Sequence, residues 1–437
     1  MNIYIIVEIK KRELLSRFLL SLEAALHGHS VYLGNVSQLV QKKVLKPGLI
    51  HHKSLTPNKK RIDQLKSLKN QDFIITSQDE EVGHVNVSGS EYVATRYGDQ
   101  TIKLIDFLFC WGKFDYNNLS KKYPNYKDKI VNTGNPRADY WREDFKKYFR
   151  SKKKKFFLIS SNFENIFGQT NLYQKYKFLK ESKYFNLGMT EKLLFKRMTI
   201  EAILIEKFIE SLKKISKIFY KKNFLFRPHP IENPEHWRII FEDCKNIKVD
   251  GTGNLSDVLN DAQIVLHNGC TGGLEAAIRK IPTIAYMPIK DTIGHPIANK
   301  LSYISKNEIS LINKIKKIYR YKKQYLLNKD TLKEVNLRFE NISNSPSYKR
   351  IVDIWNKLEK KKYNKKNNDF LINIFFKIKN FRKLISFNPY YNSKFKPFTK
   401  DEVFKIKERL VKINPKFKYI KINILGDDLI KFYNEKK

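Results

Sequence analysis

A chain of 437 residues is too long for one ordinary hydrophobic core and predicts two domains with an added segment. A hydrophobic content of 41% and an aromatic content of 13% exclude wholesale disorder. The formal net charge of +41 points first to a nucleic-acid partner, but lysine dominates over arginine and the charge is spread along helices as solvated faces, so no nucleic acid is expected.

The opening run NIYIIVEI predicts a buried strand. RELLSRFLLSLEAALHG follows it, with Leu14, Phe18, Leu22 and Ala25 at helical spacing and Gly28 placed as the stop. The start meets charges too soon for a signal peptide, and no run approaches the ~20 apolar residues of a membrane helix. SVYLGN, GLIHH, DFIITS, FLFCWG and KIVNTGN then alternate with helical patterns, as an open parallel sheet covered on both faces requires. His51 and His52 adjoin on one of these strands and so point to opposite faces, which argues against a shared metal.

A lysine run near residue 150 marks a boundary, and KFFLISS restarts the alternation. After a helical stretch from about 190 to 222, NFLFRPHP, IKVDG, QIVLHNG and PTIAYMP are strands, separated by the helices PEHWRIIFEDC, LSDVLNDA and CTGGLEAAIRK. The expectation is therefore α/β: a Rossmann-like acceptor-side domain over 1–150, a Rossmann-like nucleotide-donor domain over 151–345, and a helical basic extension over 346–437. Residues 361–437 carry 21 Lys/Arg against 7 Asp/Glu. There Phe370, Ile374, Ile378, Phe381 and Ile385 form one helical stripe, with Lys377, Arg382 and Lys383 off it. Such a helix either lies on an anionic membrane surface or packs onto the protein body. Thr399 to Glu402 forms a capping box. Cys110, Cys244 and Cys270 make neither a disulfide framework nor a CxxC pair, so a reducing, cytoplasmic compartment is expected.

Three constellations carry chemistry. In FLFRPHPIENPEHW a strand ends at Arg227 and His229 sits between two prolines. Arg227 offers a forked cation to a phosphate, and His229 a hydrogen bond or proton to a departing one. In LHNGCTGGLEAAIRK, His267 and Asn268 end a strand, and Gly269, Gly272 and Gly273 let the backbone approach a ligand. Thr271 opens a helix whose N–H groups favour an anion, and Glu275 in its first turn could take ribose hydroxyls. In ITSQDEEVGH, Asp79, Glu80 and Glu81 crowd a strand end, where mutual repulsion would raise one pKa toward that of a general base. Arg12, Glu13 and the run TGNPRAD, with Arg137, are expected on the same crevice. No HExxH, Cys/His cluster, Gly-x-Ser-x-Gly or Asp-x-Asp is present, so no metal is expected.

Two such domains, with the nucleotide held by the second, look like a GT-B glycosyltransferase. RPHP resembles the His-Pro motif of bacterial sialyltransferases, capsular Kdo transferases and CDP-glycerol glycerophosphotransferases. DEEVG is similar to the acidic-acidic-glycine motif that supplies the base in bacterial sialyltransferases, with Val82 intruding before Gly83. Residues 1–345, with VEIKKREL, GNPRAD and the glycine-rich helix start, look like the broader bacterial surface-carbohydrate biosynthesis family. The resemblance implies transfer of an acidic sugar, of Kdo or nonulosonate type, from a CMP-activated donor to a glycan or lipid-linked glycan acceptor, without a cofactor or metal. It implies that Arg227 and His229 steady the leaving phosphate, that Thr271, Gly272 and Gly273 cradle it, and that one of Asp79, Glu80 and Glu81 is the base. It fits a location on the inner face of the membrane. The readings that stay open beside it are a CDP-glycerol type polyol-phosphate transferase, a GT-B sugar-nucleotide epimerase and a basic nucleic-acid-binding protein.

Overall fold

The computed structural model describes residues 1–36, 43–81, 89–149, 155–168, 170–181, 190–290, 296–321, 329–358, 367–385 and 397–435. They divide into two compact units, Met1–Phe149 with Glu334–Lys437, and Arg150–Lys333. In the first, β1 (Asn2–Ile6), β2 (Ser30–Gly34), β3 (Leu49–His52), β4 (Ile74–Ser77), β5 (Phe107–Cys110) and β6 (Ile130–Asn132) are parallel, in the order β2-β1-β3-β4-β5-β6. Ile3, Tyr4 and Ile5 are wholly buried, which is why β1 is an unbroken apolar run rather than an alternating one. The chain leaves β1 for β2 on one side and returns to β3 on the other, so its topological switch lies between β1 and β3.

The helix Lys10–Leu26 follows β1. Its N-cap, Ile9, offers no side-chain cap; instead Glu13 Oε2 accepts from the Glu8 N–H at 2.8 Å, a carboxylate in the first turn reaching back to the amide before the cap. Leu14, Phe18, Leu22 and Ala25 face the core as expected, but Ser16, Arg17, Ser21 and Glu23 are buried too. The second side of this helix is covered by the C-terminal part of the chain.

The second unit holds β7 (Phe156–Ser160), β8 (Phe224–Arg227), β9 (Ile247–Val249), β10 (Ala262–His267), β11 (Thr283–Tyr286) and β12 (Tyr303–Ser305). All pairings are parallel, in the order β12-β11-β10-β7-β8-β9. Here the switch lies between β7 and β10. Two doubly wound α/β units in one chain are the GT-B form expected above.

The extension is not wholly helical. β13 (Ile420–Gly426) and β14 (Leu429–Asn434) form a hairpin, and β14 runs antiparallel to β2, with Leu429 opposite Gly34 and Phe432 opposite Val31. Phe432 meets Phe18 edge-on at 4.8 Å. The hydrophobic alternation Ile420, Ile422, Ile424 before a Gly-Asp-Asp turn is a strand signal that the lysines mask. Residues 334–437 thus complete the first unit instead of forming a separate body. In the helix Asp369–Ile385, Ile372 and Phe376 pack inward, whereas Phe370 and Ile374 of the expected stripe are 69% and 37% exposed. The side chains of Ile378, Phe381 and Ile385 lie outside the described residues. No helix among the described residues is long and apolar enough to cross a membrane.

Asp139 docks the returning chain. The helix Ser347–Lys357 has Pro346 at its N-cap and no cap of its own. Asp139 supplies one, accepting from the Ser347 and Tyr348 N–H groups at 2.9 and 3.0 Å and from Asn341 Nδ2 at 2.6 Å. Burial pushes its carboxyl up to about 6, against those hydrogen bonds. A carboxyl raised in the folded state keeps a proton that the unfolded chain releases near pH 4, so its contribution is full below that and lost as pH rises through 6. About 3 kcal/mol of stability should disappear across this window. Asp139→Asn should flatten that part of the urea-unfolding pH profile, and Asp139→Ala should cost about 2–4 kcal/mol by stranding buried amides.

Candidate functional site

At the switch of the second unit, β10 ends in His267 and a tight turn leads into the helix Thr271–Ile278. Gly269 has φ 92°, a conformation that costs a side chain energy. His267 is fully buried and engaged: Nδ1 accepts from the Gly269 N–H at 2.9 Å and Nε2 lies 2.8 Å from Ser302 Oγ, which donates to the Ala298 carbonyl at 2.7 Å. With Nδ1 accepting, the neutral ring carries its proton on Nε2. A Cβ on Gly273 would overlap this ring, and one on Gly272 would come within 3.1 Å of Ser160 Oγ. Both glycines therefore seat the helix against the strand ends, a packing role beside the expected one of admitting a phosphate.

The neighbours tie β7 to β10. Cys270 Sγ donates to Ser160 Oγ at 3.2 Å, and Asn268 Nδ2 to the Asn162 carbonyl at 3.2 Å. Glu275 is buried against Arg279 at 3.2 Å, and Arg279 also donates to the Ser256 carbonyl at 2.7 Å. His267, Asn268, Gly269, Gly272, Gly273 and Glu275 are buried, whereas Thr271, at the helix start, is partly exposed.

Arg227 ends β8, but its fork is turned onto the protein. NH1 and NH2 donate to the Thr252 and Gly253 carbonyls at 2.5 and 2.8 Å, holding the loop after β9. Burial lowers its proton affinity, partly countered by the charges of Asp250 and Glu275. His229 is half-buried on the turn beyond, behind the buried Pro228, and its Nδ1 lies 3.4 Å from the Ile231 N–H. Beneath that turn is a residue that the motif reading passed over. Glu232 is 1% exposed and accepts from Ser161 Oγ, the Phe163 N–H and Trp237 Nε1, each at 2.7 Å. The available signal was an acid three residues after His229, before the Asn-Pro start of a helix. Glu201 was also missed, although it stands among Leu194, Leu204, Ile205 and Phe208 on the apolar face of the helix Glu191–Ile218.

In the first unit the three acids do not repel one another, because each meets an arginine. Asp79 takes Arg96 in two bonds, Nε to Oδ2 at 2.7 Å and NH2 to Oδ1 at 2.6 Å. Glu80 is buried against Arg17, and Arg137 donates to its carbonyl at 2.9 Å. Glu81 pairs with Arg12, which also reaches Glu13 Oε1 at 3.1 Å. The expected raised carboxyl is therefore corrected for Glu81: desolvation pushes it up, but Arg12, Arg137 and Arg96 together hold it below its ordinary value. Asp79 and Glu80 are buried, whereas the Glu81 side chain is 43% exposed, so Glu81 is the accessible carboxylate of the three. Gly83 and Val82 lie outside the described residues. Glu13 serves the helix start, and Arg12 and Arg137 lie with the acids. Among the described residues no group of three His, Cys, Asp or Glu could hold a metal ion.

Arg17→Ala should strand the buried Glu80 and cost about 3–5 kcal/mol in denaturant unfolding. Glu81→Gln, which breaks a half-exposed pair, should stay within about 1 kcal/mol of the parent.

No family model matches the chain, and no curated protein matches it. Solved structures do resemble it. The Neisseria meningitidis UDP-GlcNAc 2-epimerase bound to UDP-GlcNAc is 14% identical with a TM-score of 0.49, covering 82% of this chain and 100% of that one. The Methanocaldococcus jannaschii UDP-GlcNAc 2-epimerase is 15% identical with a TM-score of 0.48, covering 81% and 99%. The wall teichoic acid polymerase TagF is 10% identical with a TM-score of 0.46, covering 81% and 88%. At such identities and scores nothing about site or reaction passes from these proteins to this chain.

Proposed function

We propose that this chain is a GT-B glycosyltransferase of bacterial surface-polysaccharide biosynthesis that moves an acidic sugar from a CMP-activated donor to a glycan acceptor. The observation that carries the reading is His229, half-buried on a turn at the carboxyl end of β8, beside the switch point where open α/β sheets take ligands. The partly exposed Thr271 at a helix start on the same edge suits a phosphate. Glu81, held ionised by its arginines and accessible, suits a proton acceptor.

In an inverting transfer the acceptor hydroxyl gives its proton to Glu81 as its oxygen bonds to the anomeric carbon. The bond from that carbon to the CMP phosphate oxygen breaks, and its electron pair stays on the phosphate. His229 meets the charge that develops there with a hydrogen bond or a proton. No metal has a step in this scheme, so activity should persist in EDTA. An anionic membrane surface suits the exposed Phe370, Leu371 and Ile374 in a segment with 21 Lys/Arg against 7 Asp/Glu.

Thermal shift with CMP, CDP, UDP, GDP and ADP tests the donor. CMP at a hundred times its Kd should stabilise by about 2.7 kcal/mol, and His229→Ala should weaken that response. With a donor in hand, Glu81→Gln should slow transfer roughly 10²–10⁴-fold while leaving CMP binding intact. Stabilisation by UDP alone would overturn the CMP donor in favour of an epimerase-type reading. No nucleotide response, with salt-sensitive binding to nucleic acid, would overturn the enzyme reading altogether. For the membrane surface, sedimentation with phosphatidylserine vesicles should be lost in Phe370→Ser/Leu371→Ser; unchanged sedimentation would count against that face.

A further inference from the structure

Two buried carboxylates of the second unit have no part in the scheme above, and both point at one loop. Residues 161–168 follow β7 at the switch point. Glu232 accepts from Ser161 Oγ and the Phe163 N–H; Glu201 accepts from the Asn165 N–H at 2.7 Å, from Asn165 Nδ2 at 2.6 Å and from the Ile166 N–H at 2.8 Å. Asn268 holds the Asn162 carbonyl from the β10 side. Five of the loop's eight residues are thus held by side chains distant in sequence.

Glu232 also belongs to the turn that carries His229. Its own N–H donates to the His229 carbonyl at 2.9 Å, the Asn233 N–H donates to the Phe167 carbonyl at 2.9 Å, and Glu232 forms an antiparallel bridge with Gly168. Trp237, in the helix Pro234–Ile240, donates to the same carboxylate and packs against Phe226 of β8, the ring centroids 4.4 Å apart and the planes tilted by 38°. The loop after β7 and the turn after β8 are therefore one hydrogen-bonded body with Glu232 at its centre.

We infer that Glu232, supported by Glu201, is a positioning residue that fixes His229 relative to the loop after β7, so that the donor pocket is preformed. This rests on the donor-site reading of that edge. Apolar packing could bury the loop, but it could not specify which amide points where; only acceptors of fixed direction do that. A carboxylate taken out of water is costly unless several donors meet it, and here two donors come from the loop after β7 and the third, Trp237, from the helix that follows the His229 turn. Burial pushes Glu232 up to about 7 and raises Glu201 as well, each against its hydrogen bonds, as expected for carboxyls held under a loop and not on a surface.

Amide hydrogen exchange and CMP calorimetry on the full chain test this. Glu232→Ala should speed exchange at Phe163 and across 228–233 together while leaving Asn165 and Ile166 slow; Glu201→Ala should do the reverse. Deprotection of Phe163 with 228–233 unchanged would overturn the coupling. Glu232→Gln, which keeps one acceptor, and Trp237→Phe serve if the alanine variant does not fold. Glu232→Gln should weaken CMP binding about tenfold, and combining it with His229→Ala should add little to the stronger single loss. Fully additive losses would mean that Glu232 does not act through His229 and would overturn the inference. If the parent binds no CMP, the donor reading fails, and the exchange pattern alone then decides whether the two segments move as one.

Discussion

A carboxylate can be buried only where donors meet it, and the carboxyl edges of both sheets are built on that constraint. Burial raises each acid, and the donors that reach it hold that rise back. Asp115, buried with one Trp111 N–H at 3.2 Å, is pushed by burial up to about 8. Glu232, with donors from Ser161, Phe163 and Trp237, reaches about 7, and Asp139, with Asn341, Ser347 and Tyr348, about 6. Glu232 and Asp139, with three donors each, move less from their ordinary values than Asp115 with one. At the end of β4 arginines replace amides as partners, and Glu81 moves the other way. Placing an acid at a strand end therefore decides little until its donors are known.

The same constraint explains how the chain closes on itself. The helix Lys10–Leu26 has too many polar residues on its second side to stand in solvent-free packing alone, yet Ser16, Arg17, Ser21 and Glu23 are buried. They are tolerated because they have partners: Ser16 and Ser21 donate to carbonyls of their own helix at 2.9 and 2.7 Å, and Arg17 meets Glu80. The hairpin of β13 and β14 and the Asp139-capped helix then complete the unit. A basic composition hid this, since lysines on an edge strand look like solvated helix in a sequence but also protect an exposed strand edge from pairing.

The two doubly wound units were legible because strand–helix alternation is a local signal that repeats. The hairpin was not, because its pairing with β2 joins residues about 400 apart in the chain. Among site residues, the motifs located the right strand ends but not the direction of each side chain. His229 and His267 both follow an apolar run, and nothing local says that one ring stays half-exposed while the other is locked between Gly269 and Ser302. Arg227 looked like a phosphate fork and instead holds carbonyls 25 and 26 residues away. Glu201 and Glu232 escaped notice because a buried acid carries no motif; its meaning comes from amides brought to it by folding.

Glu81 shows what that arrangement costs. The arginines that let Asp79 and Glu80 sit inside also surround the third acid, so it stays ionised and ready to receive a proton, but with less basicity than a desolvated carboxylate would have. A strong base at that position would need fewer arginines, and then Asp79 or Glu80 would be buried without a partner, which is worse by several kcal/mol. On the proposed reading, with a modest base, rate must come from stabilising charge on the leaving phosphate. That demands a histidine held in one place, and the turn carrying His229 is anchored by its carbonyl, its flanking prolines and the carboxylate beneath it.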